Sequence, residues 1–190
     1  MGKVVVSQFI SVDGVIDDPG GSEKTDRGGW AFQFDRGPEG EKFKLDEVFG
    51  SECLLLGRVT YDGFAAAWPG RTDEAGFADK FNNMPKYVVS TTLENPEWNN
   101  SHVISENVAE EVAKLRDQPG KDILVNGSAM LVDTLIENDL VDEYRLMVFP
   151  VVLGAGKRLF RDTSAAKALK VVDNQTAGEC VILTLQPATA

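Results

Sequence analysis

Two segments of the sequence pass from an apolar run through a glycine directly into residues with helical spacing. They are LLLGRVTYDGF at 54–64 and ILVNGSAML at 123–131. The residues at the two corners are Gly57, Arg58 and Thr60 in the first segment and Gly127 and Ser128 in the second. The first N–H groups of a helix have no partner within it, and the helix dipole is positive there. Each corner is therefore suited to bind a phosphate or another anion, to which Arg58 adds a cation.

A row of three hydroxyl residues follows another apolar run. In KYVVSTTL at 86–93, Ser90, Thr91 and Thr92 come directly after KYVV. Because ligands of α/β sheets bind outside the carboxyl ends of the strands, we expect this row on the same rim as the two corners. Taken singly, each corner is also typical of a tight connection that binds nothing, and the arginine of a solvated rim charge. Their shared placement after strands favours a site for a ligand with several phosphates.

Hydrophobic periodicity predicts the elements that position these residues. Strands are predicted at 3–10, 53–57, 86–93, 101–104, 122–126, 142–154, 167–175 and 179–186. Helices are predicted at 38–52, 59–68, 107–118 and 128–138. Helices alternate with strands through most of the chain, and strands alone complete it. The pattern predicts one domain, residues 1–190, with a three-layer α/β fold whose mostly parallel sheet ends in antiparallel C-terminal edge strands.

Composition excludes several classes of partner. The net charge is −11, and nonspecific binding to nucleic acid needs a basic face that this sequence lacks. The same charge argues against an anionic membrane surface, and no apolar run approaches the length of a transmembrane helix. The first residues, MGKVVVSQFI, have no cleavage site and are predicted to form a strand and not a signal peptide. We therefore expect a cytoplasmic protein that acts on a small molecule.

No metal site is expected from the sequence. Its two cysteines, Cys53 and Cys180, lie far apart in apolar stretches, and the chain has one histidine, His102. No CxxC spacing is present, so a zinc site would have to be built from carboxylates. Both cysteines are predicted to be buried free thiols, because free cysteine behaves as a small apolar residue.

Other nucleotide-binding motifs do not fit this chain. No GxGxxG pattern follows the first strand, as a Rossmann site requires. The segment GAGKRLF at 154–160 lacks the upstream glycine and the Ser or Thr after the lysine that define a P-loop.

Five segments, in their order along the chain, carry a resemblance to a known family. They are SVDGVI (11–16), LLLGRVTYDGF (54–64), KYVVSTTL (86–93), ILVNGSAML (123–131) and PVVLGAGKRLF (150–160). Together they resemble the dihydrofolate-reductase-like superfamily, and more narrowly the stand-alone relatives of the riboflavin-biosynthesis reductase domain. The resemblance implies that the protein binds NADPH. It also implies reduction of a pterin or of a ribosylaminopyrimidine, as in 5-amino-6-(5-phosphoribosylamino)uracil reductase.

The resemblance implies where the phosphates of NADPH would be bound. The Gly-Arg-x-Thr segment of the family contacts cofactor phosphates, which here involves Gly57, Arg58 and Thr60. A glycine pair at the later strand–helix corner cradles the pyrophosphate. Here the pair is Gly127 and Ser128, in which serine keeps the backbone N–H and adds a hydroxyl.

The remaining parts of the cofactor are assigned in the same way. By resemblance, the hydroxyls of Ser90, Thr91 and Thr92 approach the 2′-phosphate of the adenosine. The loop after the first strand covers the nicotinamide, which implicates Val15 and Ile16.

The catalytic group is not identified by the sequence, and two carboxylates are candidates. The resemblance implies one carboxylate on the helix before the Gly-Arg strand, where it helps to protonate the substrate ring. The carboxylates of this helix are Glu39, Glu41, Asp46 and Glu47. By its spacing from Gly57, Glu41 is the nearest counterpart, with a solvated surface charge as the alternative. Asp13 is the second candidate, with a turn carboxylate as its alternative.

Three residues are candidates for contact with the substrate. Trp30 is expected either to stack on a flat ring or to cap the core. Lys157 and Arg158 lie in the loop that by resemblance borders the substrate half of the cleft, where they are available to an acidic group.

Two classes of function remain open from the sequence. The first is an NADPH-dependent reductase of a small heterocyclic metabolite, and the second is a non-catalytic NADP(H)-binding sensor or interaction protein of the same fold. We also expect a homodimer through the sheet edge or the C-terminal strands. The segments at 142–154 and 180–186 are more apolar than an exposed edge tolerates.

Overall fold

Strands and helices alternate along the chain, as the periodicity predicts. The computed structural model describes residues 2–161 and 166–188. The strands are β1 (Val4–Ser11), β2 (Ser51–Gly57), β3 (Lys86–Val89), β4 (Ser101–Ile104), β5 (Asp122–Val125), β6 (Glu143–Phe149), β7 (Leu169–Ala177) and β8 (Cys180–Pro187). The helices are α1 (Gly37–Gly50), α2 (Arg58–Ala67), α3 (Phe77–Asn83), α4 (Val108–Asp117) and α5 (Ala129–Glu137), with a 3-10 turn at Trp30–Gln33.

The eight strands form one sheet in the order β4-β3-β2-β5-β1-β6-β8-β7. The six strands from β4 to β6 are parallel, and β8 and β7 are antiparallel. The predicted three-layer α/β fold with an antiparallel C-terminal edge is confirmed. β5 lies between β2 and β1, so segments far apart in sequence meet at its carboxyl end.

Both faces of the sheet around β1 are covered by helices, which explains the continuous apolar run in this strand. Val4 and Val6 pack with α4 and α5 on one face, and Val5 packs with α1, α2 and α3 on the other. Alternate residues of a strand point to opposite faces, so a strand covered on both sides needs apolar residues throughout. No helix in the described part of the chain is long and apolar enough to cross a membrane.

Two strands end earlier than the periodicity predicts, each for a local reason. The strand predicted at 86–93 ends at Val89, because the Ser90 hydroxyl accepts the N–H groups of Thr92 and Leu93 and turns the chain. The strand predicted at 142–154 ends at Phe149, because Pro150 has no N–H to donate to a neighbouring strand.

Helix α3 was not predicted from the sequence. It has seven residues of mostly polar character, too few for a hydrophobic period to be recognised. It begins where the Asp73 carboxylate accepts the backbone N–H groups of Phe77 and Ala78, at 3.0 and 2.6 Å. These two hydrogen bonds lower the pKa of Asp73. Phe77 and Phe81, one turn apart, stack with their ring centroids 5.4 Å apart.

Candidate functional site

The two glycine corners touch each other at the carboxyl ends of β2 and β5. The backbone N–H of Gly57 donates to the carbonyl of Gly127 over 3.0 Å. A β-carbon on Gly57 would lie 2.2 Å from Ser128 Oγ, and one on Gly127 would lie 2.7 Å from Thr60 Oγ1. A side chain at either glycine would collide with the opposite corner, so both positions need glycine.

Two helices begin at this junction. α2 begins at Arg58, directly after Gly57, and α5 begins at Ala129, directly after Ser128. Neither helix has a side-chain cap on its first amide groups. Both starts therefore offer free N–H donors and a positive dipole end to an anion. The peptide bond between Gly127 and Ser128 is cis.

Arg58 links this junction to the hydroxyl row. Its Nε donates to the Asp62 carboxylate at 2.9 Å, and its guanidinium also donates to Thr92 Oγ1 at 3.2 Å. Ser90 is buried and its hydroxyl holds the turn, whereas Thr91 and Thr92 are exposed. The side chain of Arg58 is 39% exposed, so the cation lies on the rim with part of its surface open to a ligand.

Val15 and Ile16 lie in a loop that pairs with the segment around residue 158. The N–H of Ile16 donates to the carbonyl of Lys157 over 2.8 Å, and Val15 forms a strand-like bridge with Arg158. Both apolar side chains are buried. The two predicted parts of the site, the nicotinamide loop and the loop with the two cations, are thus joined through their backbones.

The two cations of that loop are engaged with acidic partners. Lys157 pairs with Asp17 at 3.1 Å and Glu23 at 3.0 Å. The hydrogen bond to Glu23, the largest cause, and the one to Asp17 raise the pKa of Lys157. Arg158 donates to the backbone carbonyl of Asp13 and lies 3.9 Å from its carboxylate. Both side chains stay about half exposed, so each keeps surface for a further contact.

Trp30 is expected either to stack on a substrate ring or to cap the core, and in the structure its ring lies in the core. Its indole N–H donates to the carbonyl of Asp17 at 2.9 Å. The ring packs edge-on against Phe149, with 5.3 Å between centroids. The residue is 2% exposed, so its faces are not available as a stacking surface.

Asp13 ties the turn after β1 to the loop that contains Leu153. Its carboxylate accepts hydrogen bonds from the Ser11 hydroxyl at 2.7 Å and from the N–H groups of Leu153 and Gly154 at 3.0 and 2.8 Å. These bonds, the one from Ser11 first, lower the pKa of Asp13 to about 2. A carboxylate with so low a pKa is ionised at neutral pH and is unsuited to donate a proton.

The other candidate, Glu41, lies on the outer surface of α1. It pairs with Arg36, and its side chain is 64% exposed. It is not part of the junction formed by the two glycine corners. Its surroundings are those of a solvated charge on a helix surface, which is the alternative to a catalytic role for Glu41.

A different carboxylate of α1, Glu47, faces the sheet. It is 2% exposed, and its Oε2 accepts from the Ser7 hydroxyl at 2.9 Å and from the ammonium group of Lys44. The carbonyl of Ser7 accepts from the side chain of Asn126, directly before Gly127, at 3.2 Å. No local signal singles out this carboxylate: Lys44 and Glu47 share the helix face of the buried Val48, but the sequence of α1 has no marked apolar stripe.

Within the described ranges, 2–161 and 166–188, no group of three His, Cys, Asp or Glu side chains is placed so that it could hold a metal ion. Cys53 and Cys180 are both buried free thiols, as predicted. Burial raises the pKa of Cys53 to about 12, so this thiol stays protonated at neutral pH.

The chain is similar in sequence to a known protein and similar in fold to solved structures. The sequence is 39% identical over 134 residues to the uncharacterized protein YyaP of Bacillus subtilis (strain 168), covering 69% of this chain and 71% of the relative. A structure provisionally assigned to riboflavin biosynthesis, from Shewanella sp. PV-4, matches with a TM-score of 0.75 at 18% identity over 98% of this chain and 99% of the other. Dihydrofolate reductase from Enterococcus faecalis, solved with NADP(H), matches with a TM-score of 0.60 at 16% identity, over 99% and 98% of the two chains.

The family profile described as the RibD C-terminal domain matches residues 2–183, nearly the whole chain. The resemblance found in the sequence is thereby confirmed. The protein belongs to the RibD C-terminal domain family and has the dihydrofolate-reductase-like fold.

Proposed function

We propose that the protein is an NADPH-dependent reductase of a small heterocyclic metabolite with a pterin-like or ribosylaminopyrimidine-like ring. One observation carries the proposal: the glycine corners before α2 and α5 meet, with uncapped helix starts beside them and Arg58 on the rim. Membership of the RibD C-terminal domain family supports it. So does the similar fold of the Enterococcus faecalis dihydrofolate reductase, which was solved with NADP(H).

The donors at the junction fit a pyrophosphate. The amide groups at the starts of α2 and α5 would bind its oxygens, as helix N-termini bind phosphates elsewhere. The absence of a β-carbon at Gly57 and Gly127 lets the two corners pack against each other, which brings the two helix starts side by side. The hydroxyls of Thr60 and Ser128 lie at the same corner and would complete the cradle.

The rim around Arg58 fits the 2′-phosphate. Arg58 already donates to Thr92, and Thr91 and Thr92 are exposed beside it. A guanidinium and two hydroxyls would bind a dianionic phosphate, whereas NADH presents a neutral hydroxyl there. This arrangement favours NADPH over NADH.

The chain's own residues would shape the reacting end of the cleft. NADPH, when bound, supplies a hydride. Val15 and Ile16 are buried in the loop that would cover the nicotinamide, and Asp13 keeps this loop against residues 153–154 through its two hydrogen bonds from Leu153 and Gly154. Lys157 and Arg158, in the paired loop, are available to an acidic group of the substrate.

Calorimetric titration with NADPH and NADH tests the cofactor assignment. We expect clearly tighter binding of NADPH, and equal affinities would contradict the 2′-phosphate assignment. Oxidation of NADPH, followed by absorbance with a panel of pterins and ribosylaminopyrimidines, tests turnover. Binding of NADPH without oxidation across the panel would favour the alternative, a non-catalytic NADP(H)-binding sensor or interaction protein.

A further inference from the structure

Gln8, near the middle of β1, has a buried amide group that lacks a hydrogen-bond acceptor. Its Nε2 makes no hydrogen bond within residues 2–161 and 166–188, and the residue is 7% exposed. An amide nitrogen of glutamine carries two N–H donors. Because buried polar groups are nearly always hydrogen-bonded, this exception calls for an explanation.

Gln8 faces the side of the sheet that α5 covers. Val6 and Ile10, two residues before and after it, both belong to the apolar cluster on that side, and alternate residues of a strand share a face. Leu146, its partner in β6, lies in the same cluster. Gln8 is therefore the polar exception in an apolar row, where an apolar side chain of the same volume would be more stable.

β1 extends beyond the end of its other neighbour, β5. The register between the two strands ends with Val6 opposite Val125, after which the chain leaves the sheet and turns into α5. Gln8 therefore lies past the end of β5, level with the glycine corner before α5. In agreement, the carbonyl of Ser7 accepts a hydrogen bond from the side chain of Asn126 over 3.2 Å. The carboxyl end of β5 is the place where ligands of α/β sheets bind.

Two parts of the proposed cofactor site flank Gln8. The corner proposed for the pyrophosphate contributes Ala129 to the cluster of Val6 and Ile10, and the loop proposed to cover the nicotinamide contributes Ile16. In NADPH, one ribose joins the pyrophosphate to the nicotinamide. A cofactor held at both places would therefore have this ribose beside Gln8. The ribose hydroxyls are acceptors of the kind that the amide lacks.

We propose that the Gln8 amide donates a hydrogen bond to a hydroxyl of the ribose between the pyrophosphate and the nicotinamide. The proposal rests on the proposed function for the presence of this cofactor. A glutamine side chain rotates about three bonds, so its amide can turn towards the ribose. The donor loses no bound water on binding, because it is already buried in the free protein, and the new bond therefore contributes near the upper end of the usual range. Gln8 thus lowers the stability of the free protein and raises its affinity for the cofactor.

Gln8→Met tests the proposal, because methionine has nearly the same length and volume but no N–H donor. We expect the variant to melt at least about 2 °C higher than the parent, since it removes an unsatisfied buried donor. In calorimetric titrations it should bind NADPH at least about fivefold more weakly, and likewise 2′-phospho-ADP-ribose, which has the ribose but no nicotinamide. Adenosine 2′,5′-bisphosphate lacks this ribose, so the variant should bind it as the parent does.

A purely structural role for Gln8 would give a different pattern. An unchanged affinity for 2′-phospho-ADP-ribose, or an equal loss of affinity for adenosine 2′,5′-bisphosphate, would overturn the proposal. If Gln8→Met melts lower than the parent, Gln8→Leu repeats the test, and a lower melting temperature in both variants would identify the amide as a structural group. The control is Gln118→Met at the exposed end of α4, which should change neither the melting temperature nor the binding.

The role of Gln8 and the cofactor assignment fail in different ways. If the parent binds none of the three ligands, the cofactor assignment is wrong and the role of Gln8 is wrong with it. If the parent binds all three and Gln8→Met binds them equally well, only the role of Gln8 is wrong.

Discussion

The side chain of Ser128 lies against the α-carbon of Gly57. A β-carbon on Gly57 would lie 2.2 Å from Ser128 Oγ, 2.8 Å from Ser128 Cβ and 3.0 Å from Ser128 N. These two residues precede α2 and α5 respectively, so their contact brings two helix starts to one point of the sheet. The close fit between the two corners depends on the absence of a side chain at residue 57.

Gly57→Ala should therefore damage both stability and cofactor binding. The new methyl group has no room beside Ser128, and overpacking of this kind costs about 1–3 kcal/mol. We expect a lower free energy of unfolding in urea and weaker binding of NADPH in a titration. The control is Gly50→Ala, at the last residue of α1, where an added β-carbon meets no atom within 4 Å. An unchanged Gly57→Ala variant would mean that the corners do not meet as described.

Arg58→Ala should weaken NADPH binding without affecting the fold. Loss of a charge-assisted bond to phosphate costs about 1.5–3 kcal/mol, or roughly ten- to a hundredfold in affinity. Because Arg58 reaches towards Thr92, we expect NADH binding to change much less, and the loss for NADPH to shrink at high salt. Lys114→Ala removes a helix cation from an ion pair on α4 and serves as the control. Unchanged affinity for NADPH in Arg58→Ala would identify the arginine as a rim charge.

Gly127→Val should abolish NADPH binding and lower stability. Gly127 has φ of 118°, which L residues rarely adopt, and a β-carbon there would lie 2.7 Å from Thr60 Oγ1. The matched control is Gly70→Val, since Gly70 also has a positive φ, 78°, but an added β-carbon meets no atom within 4 Å. We expect the control to melt lower and to bind NADPH normally. Normal binding by Gly127→Val would remove this corner from the cofactor site.

Asp13 should contribute to the acid sensitivity of the protein. Its pKa is lowered from 3.8 to about 2 in the folded state, so the unfolded chain binds a proton first as the pH falls. The stabilisation is complete above about pH 4 and is lost as the pH falls towards about 2. Asp13→Asn should be less stable at neutral pH and should show a shallower loss between pH 4 and pH 2 in urea unfolding. Parallel pH profiles of parent and variant would contradict this role.

The homodimer predicted from the apolar C-terminal strands remains a prediction. The structure limits the residues available for the dimer contact to those exposed on β7 and β8. β6 lies inside the sheet between β1 and β8, whereas β7 is an outer strand. Val171 and Val172 on β7 and Val181 on β8 are exposed. We expect light scattering at micromolar concentration to give about twice the mass of one 20.7 kDa chain. Val171→Lys with Val172→Lys should halve that mass, and a monomeric parent would contradict the prediction.

The sequence determined the elements and the chemical character of the two corners. Apolar periodicity is local information, and it located all eight strands and four of the five α-helices, with the ends of β3 and β6 placed four and five residues too late. Gly57 and Gly127 were recognisable because glycine at a strand–helix junction has a physical meaning within a few residues. Short polar α3 had no such signal, because its seven residues are too few for an apolar period to be recognised.

Only the tertiary structure decided which of these residues meet. β2 and β5 are separated in sequence by β3 and β4, yet they pair in the sheet, and that pairing brings Gly57 against Ser128. Similarly, α1 carries several carboxylates of the same chemistry, and Glu47 is buried while Glu41 is exposed because of how the helix is rotated on β1. Strand order and helix rotation follow from contacts between distant residues, which no local pattern of residue types encodes.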